Sequence, residues 1–323
     1  MQLGAKWGCK PADQLRKYFG AALLEAAREN PKIVVLDGDL SNSTGANTVR
    51  DAFPERFFNM GIAESNMISV SGGLAASGYI PFATSLTSFL LCNAFEQIRL
   101  TIAIAGLNVK LVGSHSGMTT GREGPSSMSI EDYSLLGALP TFTIIVPSDP
   151  IIMQKAVKAS VEHQGPVFIR SSREAMPYIY SKDNCPFEIG KANCLRNGKD
   201  VTIIACGLMV PIALDASVIL AGEGIEAGVL DMHTLRPLDE AAIKKAAFGT
   251  GAIVTAEEQL IRGGMGAAVA QVVAENHPVP MRFVGLKDVY PVSGSLEELL
   301  KKYHMTAEDI LLAVHQVIKE KHA

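Results

Sequence analysis

One carboxylate stands alone in a stretch otherwise suited to packing. Asn59-Met-Gly-Ile-Ala-Glu64-Ser-Asn-Met67 puts Glu64 at the start of a helix made of Ile, Met, Ser, Gly and Ala. Two chemistries are open to it. A first-turn acid complements the positive end of the helix dipole; enclosed by apolar neighbours, the same group could share a proton with a heterocycle nitrogen. A second candidate, His115, lies in the run Ser114-His115-Ser-Gly-Met, just after an apolar segment that reads as a strand. Loops at strand ends carry catalytic groups, and an unperturbed imidazole titrates close enough to neutrality to relay protons. Two glycine signals fall short. Gly38-Asp39-Leu40 lacks the second glycine of a magnesium-diphosphate signature, and Asn59 follows it too soon. Gly263-Gly264-Met265-Gly266 trails its strand by a charged stretch, so its expected job is tight helix packing rather than nucleotide binding.

Holding such groups in place takes a rigid frame, and the apolar spacing describes one. Leu15, Tyr18, Phe19, Ala22, Leu23 and Ala26 recur at helical intervals over 14–28, and Asn30-Pro31 ends that helix. Strands are expected at 33–36, 79–82, 109–112, 143–146 and 167–169. Between them come a polar loop over 41–47 and helices at about 61–78, 89–105, 130–138 and 150–163. The small-residue helix after Glu64 should accept a closely packed backbone, as at a subunit interface. Residues 176–199, with two Pro, two Gly and mixed charge, read as a linker. A second alternation follows, with strands at 201–205, 227–229, 252–255 and 282–285. Its helices fall at 210–221, 239–248, 266–275 and 307–319. The expected fold class is α/β: two tandem domains, 10–175 and 200–323, each a mostly parallel sheet flanked by helices.

Composition narrows the function classes. A 323-residue chain at roughly 150 residues per domain suits two cores. Apolar content of 48% and charged content of 19% exclude wholesale disorder. With 29 Lys+Arg against 33 Asp+Glu and a net charge of −4, the basic face of a nucleic-acid binder is missing. No apolar run approaches a membrane span and residues 1–11 lack signal-peptide order, so a cytoplasmic location is expected. Cys9, Cys92, Cys185, Cys194 and Cys206 form no Cys-x-x-Cys pair, and the seven histidines are scattered. Neither a disulfide framework nor a metal held by this chain alone is expected.

The motifs carry a resemblance. Val35-Leu-Asp-Gly-Asp39-Leu-Ser-Asn-Ser43 and Phe53-Pro-Glu-Arg-Phe-Phe-Asn-Met-Gly-Ile-Ala-Glu64-Ser-Asn-Met67 look like the pyrimidine-binding domain of transketolase. Ser114-His115-Ser-Gly-Met, Gly124-Pro125, Ile130-Glu-Asp132, Val146-Pro-Ser-Asp149 and Ser172-Arg173 follow in the family's order. Asp231-Met-His-Thr-Leu-Arg-Pro-Leu-Asp239 and Thr255-Ala-Glu-Glu258 resemble its C-terminal domain. The family's N-terminal, diphosphate-binding domain has no counterpart here. The resemblance therefore implies the C-terminal subunit of a split transketolase, paired with a separate N-terminal subunit in an α2β2 heterotetramer. It implies thiamine diphosphate as cofactor, with Mg2+ or Ca2+ held mainly by the partner.

By the same resemblance, Glu64 would bond the pyrimidine N1′, and Phe89 would stack on the ring beside Leu86 and Cys92. Asp39 would lie against the cofactor. Arg16, Ser43, His115 and Arg173 match positions that bind a donor sugar's terminal phosphate. Plain alternatives stay open: a core phenylalanine for Phe89, a loop cap for Asp39, surface roles for Arg16 and Arg173. Departures bear on the substrate. Glu123 stands where the family has a shorter acid contacting a donor hydroxyl, Ser127 replaces a sugar-binding His, and Gln259 replaces another His. A branched, deoxy or sulfonated ketose is as consistent as a pentose phosphate. Competing readings are the β chain of a 2-oxo-acid dehydrogenase E1, a deoxyxylulose-phosphate-synthase-like subunit, or a non-catalytic scaffold subunit.

Overall fold

The computed structural model describes residues 2–181 and 183–322. Short apolar runs become strands buried on both faces, as parallel strands covered by helices must be. The first sheet takes β1 (Ile33–Asp37), β2 (Phe57–Asn59), β3 (Ile80–Leu86), β4 (Lys110–Ser114), β5 (Thr143–Ile145) and β6 (Val167–Arg170). The second takes β7 (Asn193–Arg196), β8 (Val201–Ala205), β9 (Ala227–Asp231), β11 (Ile253–Leu260) and β12 (Met281–Leu286). Between β9 and β11 comes β10 (Thr234–Arg236), which returns to the first sheet. The strand orders are β10-β5-β6-β4-β3-β1-β2 and β12-β11-β8-β9-β7. Within each sheet every pair is parallel except one edge pair, β10–β5 and β7–β9. The expected α/β architecture of two mostly parallel sheets is the one observed.

Four local expectations change. The segment 176–199, read as a linker, contains β7, whose Asn193 pairs with Asp231. The second half also lends β10 to the first sheet, Thr234 opposite Ile145 and Arg236 opposite Ile144. Strands of three or four residues at a sheet edge are too short to show a period. The polar loop over 41–47 is largely helical, with turns at Ser41–Thr44 and Asn47–Ala52. The single helix expected over 89–105 is three pieces: Thr87–Cys92, Phe95–Gln97 and a wide-turned Ile98–Ala103. At the break after Cys92, Asn93 Nδ2 comes within 3.5 Å of Glu64 Oε2.

The two halves share a core. One buried cluster joins Phe19, Phe82, Val112 and Ile145 of the first to Val201, Leu208, Val254 and Leu286 of the second. Backbone bonds cross the seam as well, from Val146 N to His233 O (2.8 Å) and from Leu260 N to Ile130 O (3.1 Å).

Candidate active site

The C-terminal ends of β1, β3, β4 and β6 line up along one edge, where parallel α/β sheets bind ligands. Most polar candidates of the first half lie on this edge or on loops and helix starts that follow it, and Arg16 comes from the first turn of the helix Leu15–Glu29. At the end of β1, Asp37 is fully buried. Its carboxylate accepts from Leu40 N (2.5 Å), Thr44 Oγ1 (2.9 Å) and Thr84 Oγ1 (2.5 Å). Burial raises its pKa against the pull of those donors. Asp37 thereby shapes the 38–44 turn, a role with no counterpart among the residues singled out in the sequence. Asp39 follows in the left-handed region at φ 64°, exposed, and accepts from Asn59 Nδ2 at 2.8 Å.

Glu64 opens the helix Glu64–Ala76 and is 2% exposed. Ser85 Oγ, near the end of β3, donates to Oε1 at 3.0 Å. Oε2 has only a 3.5 Å contact from Asn93 Nδ2. Gly38 borders the carboxylate so closely that a Cβ there would lie 3.3 Å from Oε1 and 3.1 Å from Ser85 Oγ. Oε1 is thus held more closely than Oε2. Leu86, next to Ser85, is buried, whereas Phe89 is 37% exposed and so is no core phenylalanine of this chain. Cys92 is exposed with a free thiol. Ser127 is half-buried, its carbonyl accepting from Ser88 Oγ at 3.1 Å. The small-residue helix meets its close neighbour inside the chain: a Cβ on Gly72 would lie 2.2 Å from Thr101 Cγ2, while Gly73 faces open space.

A second group collects at the end of β4. His115, 6% exposed and at φ 58°, bonds through Nδ1 to Ser114 Oγ at 2.8 Å. Ser114 Oγ also donates to Ser43 O (3.3 Å), tying this loop to the 41–44 turn. Arg16 reaches the same turn, Nη1 donating to Asn42 O at 3.0 Å. Gly45 makes that approach possible, since a Cβ there would lie 2.2 Å from Arg16 O. Arg173 donates to Thr120 O at 2.8 Å and pairs with Glu123 Oε1 at 2.7 Å. Arg16, Ser43 and His115 thus meet around one turn, and Arg173 with Glu123 forms a pair on the loop that follows His115.

Burial, then the positive charges of Arg173 and Arg16, lower the His115 pKa to about 4. At pH 7 the imidazole is therefore neutral, and the permanent positive charge near this turn is that of the arginines. An NMR titration of the His115 ring, assigned with His115→Gln, should give a midpoint near 4; an ordinary midpoint near 6.5 would mean that the loop is open to water.

Residues of the second half also reach the loops of this edge, Gly294 N donating to Gly121 O at 3.4 Å. Arg170, at the end of β6, is buried with Asp132 and Glu258. Ile130-Glu-Asp132 and Glu258 belong to runs singled out in the sequence, but the pairing of residues so far apart in the chain left no local signal. Glycines 264 and 266 serve helix packing, as expected: a Cβ on Gly266 would lie 2.6 Å from Thr255 Oγ1. Among the described residues, no group of three or more His, Cys, Asp or Glu could hold a metal ion, and no helix is long and apolar enough to cross a membrane.

Fold and edge together define an α/β scaffold whose strand ends gather a buried carboxylate, Glu64, and two partly open arginines, Arg16 and Arg173. Comparison with known proteins makes the class specific. The family models for the transketolase pyrimidine-binding domain and the transketolase C-terminal domain match residues 13–178 and 190–310. The chain is 43% identical to the 6-deoxy-6-sulfo-D-fructose transketolase subunit SqwH of Clostridium sp. (strain MSTE9), with 95% of each chain covered. It is 37% identical to a subunit of the apulose-4-phosphate transketolase of Phocaeicola vulgatus, over 94% of this chain and 97% of that one. A solved structure described as a split gene transketolase, inactive beta4 tetramer, superimposes with a TM-score of 0.88 at 44% identity, covering 96% of this chain and 99% of that one. The chain belongs to the transketolase family, of which it holds the pyrimidine-binding and C-terminal domains.

Proposed function

We propose that this chain is the C-terminal subunit of a split transketolase that moves a two-carbon ketol unit from an anion-tailed ketose to an aldose. The placement of Glu64 carries the reading: a buried carboxylate at the sheet edge, with Oε1 anchored by Ser85 beside Gly38 and Oε2 reached by Asn93 at 3.5 Å. These residues fit the aminopyrimidine of thiamine diphosphate, the family's cofactor. When bound, the cofactor supplies the carbon nucleophile and electron sink that break and remake a carbon–carbon bond. Glu64 holds a proton at the pyrimidine nitrogen. Phe89 and Leu86 offer apolar surface to the ring, with Cys92 and Asp39 at its margins.

Arg16 and Arg173 take the donor's terminal anion, a task suited to a rigid, permanently charged fork of donors. Ser43 and His115 add hydrogen bonds. Glu123 and Ser127 tune recognition of the sugar hydroxyls, Glu123 also offsetting part of the Arg173 charge through their ion pair. The relatives' names describe a sulfonated and a phosphorylated ketose; for this chain the shared chemistry, a ketose ending in an oxyanion, is the substrate class.

The diphosphate and its Mg2+ or Ca2+ fall to a separate N-terminal subunit in an α2β2 assembly. End-to-end matches to proteins named as subunits, and a neighbour solved as an inactive tetramer of β chains, support that reading. Five free cysteines favour the reducing cytoplasm. Kinetics of the chain with and without an N-terminal subunit test the proposal. With thiamine diphosphate, Mg2+ and phosphorylated or sulfonated ketoses, turnover is expected only in the mixture. Ketol transfer by the chain alone would refute the partner requirement. Cofactor binding by the mixture without ketol transfer would favour a scaffold, and acetyl product from pyruvate a dehydrogenase subunit.

A further inference from the structure

Two adjacent carboxylates on β11 are buried and face opposite ways, as successive strand residues do. Glu257 turns into its own domain, where it accepts from Met265 N (2.6 Å) and Gly266 N (2.8 Å) and caps the helix Met265–Asn276. Glu258 crosses the seam. Its Oε1 accepts from Met118 N at 2.6 Å, and its Oε2 lies 3.4 Å from Arg170 Nη1. Arg170 also donates to Glu258 O (3.2 Å) and to Asp132 Oδ2 (3.0 Å), and Gln259 donates to the other oxygen of Asp132. Of Asp132, Arg170, Glu258 and Gln259, none is more than 3% exposed.

The loop gripped by Glu258 is the one that presents the site. Gly117 threads between the charges, where a Cβ would lie 2.4 Å from Arg170 Nη2 and 2.5 Å from Glu258 Cδ. His115 lies three residues before Met118. Just beyond it, Thr119 Oγ1 accepts from Arg173 N (3.1 Å) and Thr120 O from the Arg173 guanidinium. We propose that Glu258 is a positioning residue of the second domain, which holds the 115–120 loop and through it sets His115 and Arg173 against the donor. This rests on the assignment of those two residues to the substrate.

Each carboxylate accepts from buried backbone N–H groups that would otherwise go unpaired, so both matter to stability. Only Glu258 should matter to the site. The test compares Glu258→Gln with Glu257→Gln in the assembled enzyme. Glu258→Gln should raise the ketose KM by about 10- to 100-fold, as displaced binding groups do, with kcat and thiamine diphosphate affinity near wild type. Glu257→Gln should lower Tm and leave KM unchanged. In the chain alone, the His115 NMR midpoint should rise in Glu258→Gln and stay put in Glu257→Gln.

Equal KM effects from the two variants, or an unmoved His115 midpoint in Glu258→Gln, would overturn the proposal. An Arg173→Ala control that leaves KM unchanged would instead count against the substrate assignment, while the NMR comparison still decides whether Glu258 holds the loop. If Glu258→Gln does not fold, Glu258→Asp keeps the charge, shortens the reach and gives the same readouts.

Discussion

Glu64→Gln should cut turnover of the assembled enzyme by about 10²–10⁴-fold, the usual worth of a positioned proton-transfer group. Glutamine keeps the shape of the side chain and can still accept from Ser85 Oγ, which holds Oε1 at 3.0 Å. It cannot carry the carboxyl proton. The helix Glu64–Ala76 should persist, with Tm changed little. The loss should therefore fall on kcat, and the cofactor's activation should slow, read as exchange of its reactive proton by NMR. Glu64→Ala should lose at least as much activity and stability as well, because Ser85 and Asn93 lose their partner. A Gln variant near wild-type turnover would leave Glu64 as a first-turn helix acid and no more.

Replacing Arg16 or Arg173 by Ala should raise the KM for an anion-tailed ketose by about 10- to 100-fold each, the equivalent of the ~1.5–3 kcal/mol that a charged hydrogen bond contributes. A ketose of the same length with a neutral end should lose far less. The wild-type KM should also climb with salt, since both side chains are partly open to solvent and screening weakens such contacts. The Arg173–Glu123 pair does not cancel this effect. Both side chains are roughly two-fifths exposed, and pairs of that kind are worth at most about 1 kcal/mol. Equal KM changes for charged and neutral ketoses would show that the arginines hold the loops together without reading the anion.

The sequence alone determined the layers of this protein and pointed to its buried carboxylate. Apolar runs separated by helical spacing dictate strands buried on two faces, and that information is local. The helix that carries Glu64 is local too, written in its run of Ile, Met, Ser, Gly and Ala, though its first turn begins at Glu64 rather than at residue 61. Tertiary structure alone decided how the halves are joined. β10 crosses to the other sheet with three residues, too few to show a period, and β7 forms with four inside an apparent linker. The broken helix over 87–103 brings Asn93 to Glu64, a contact set by packing across 29 residues of chain. Glu258 meets Met118 across 140 residues. Charges buried in a seam are offset by partners that only the assembled fold brings near, so their meaning appears once the two domains are packed together.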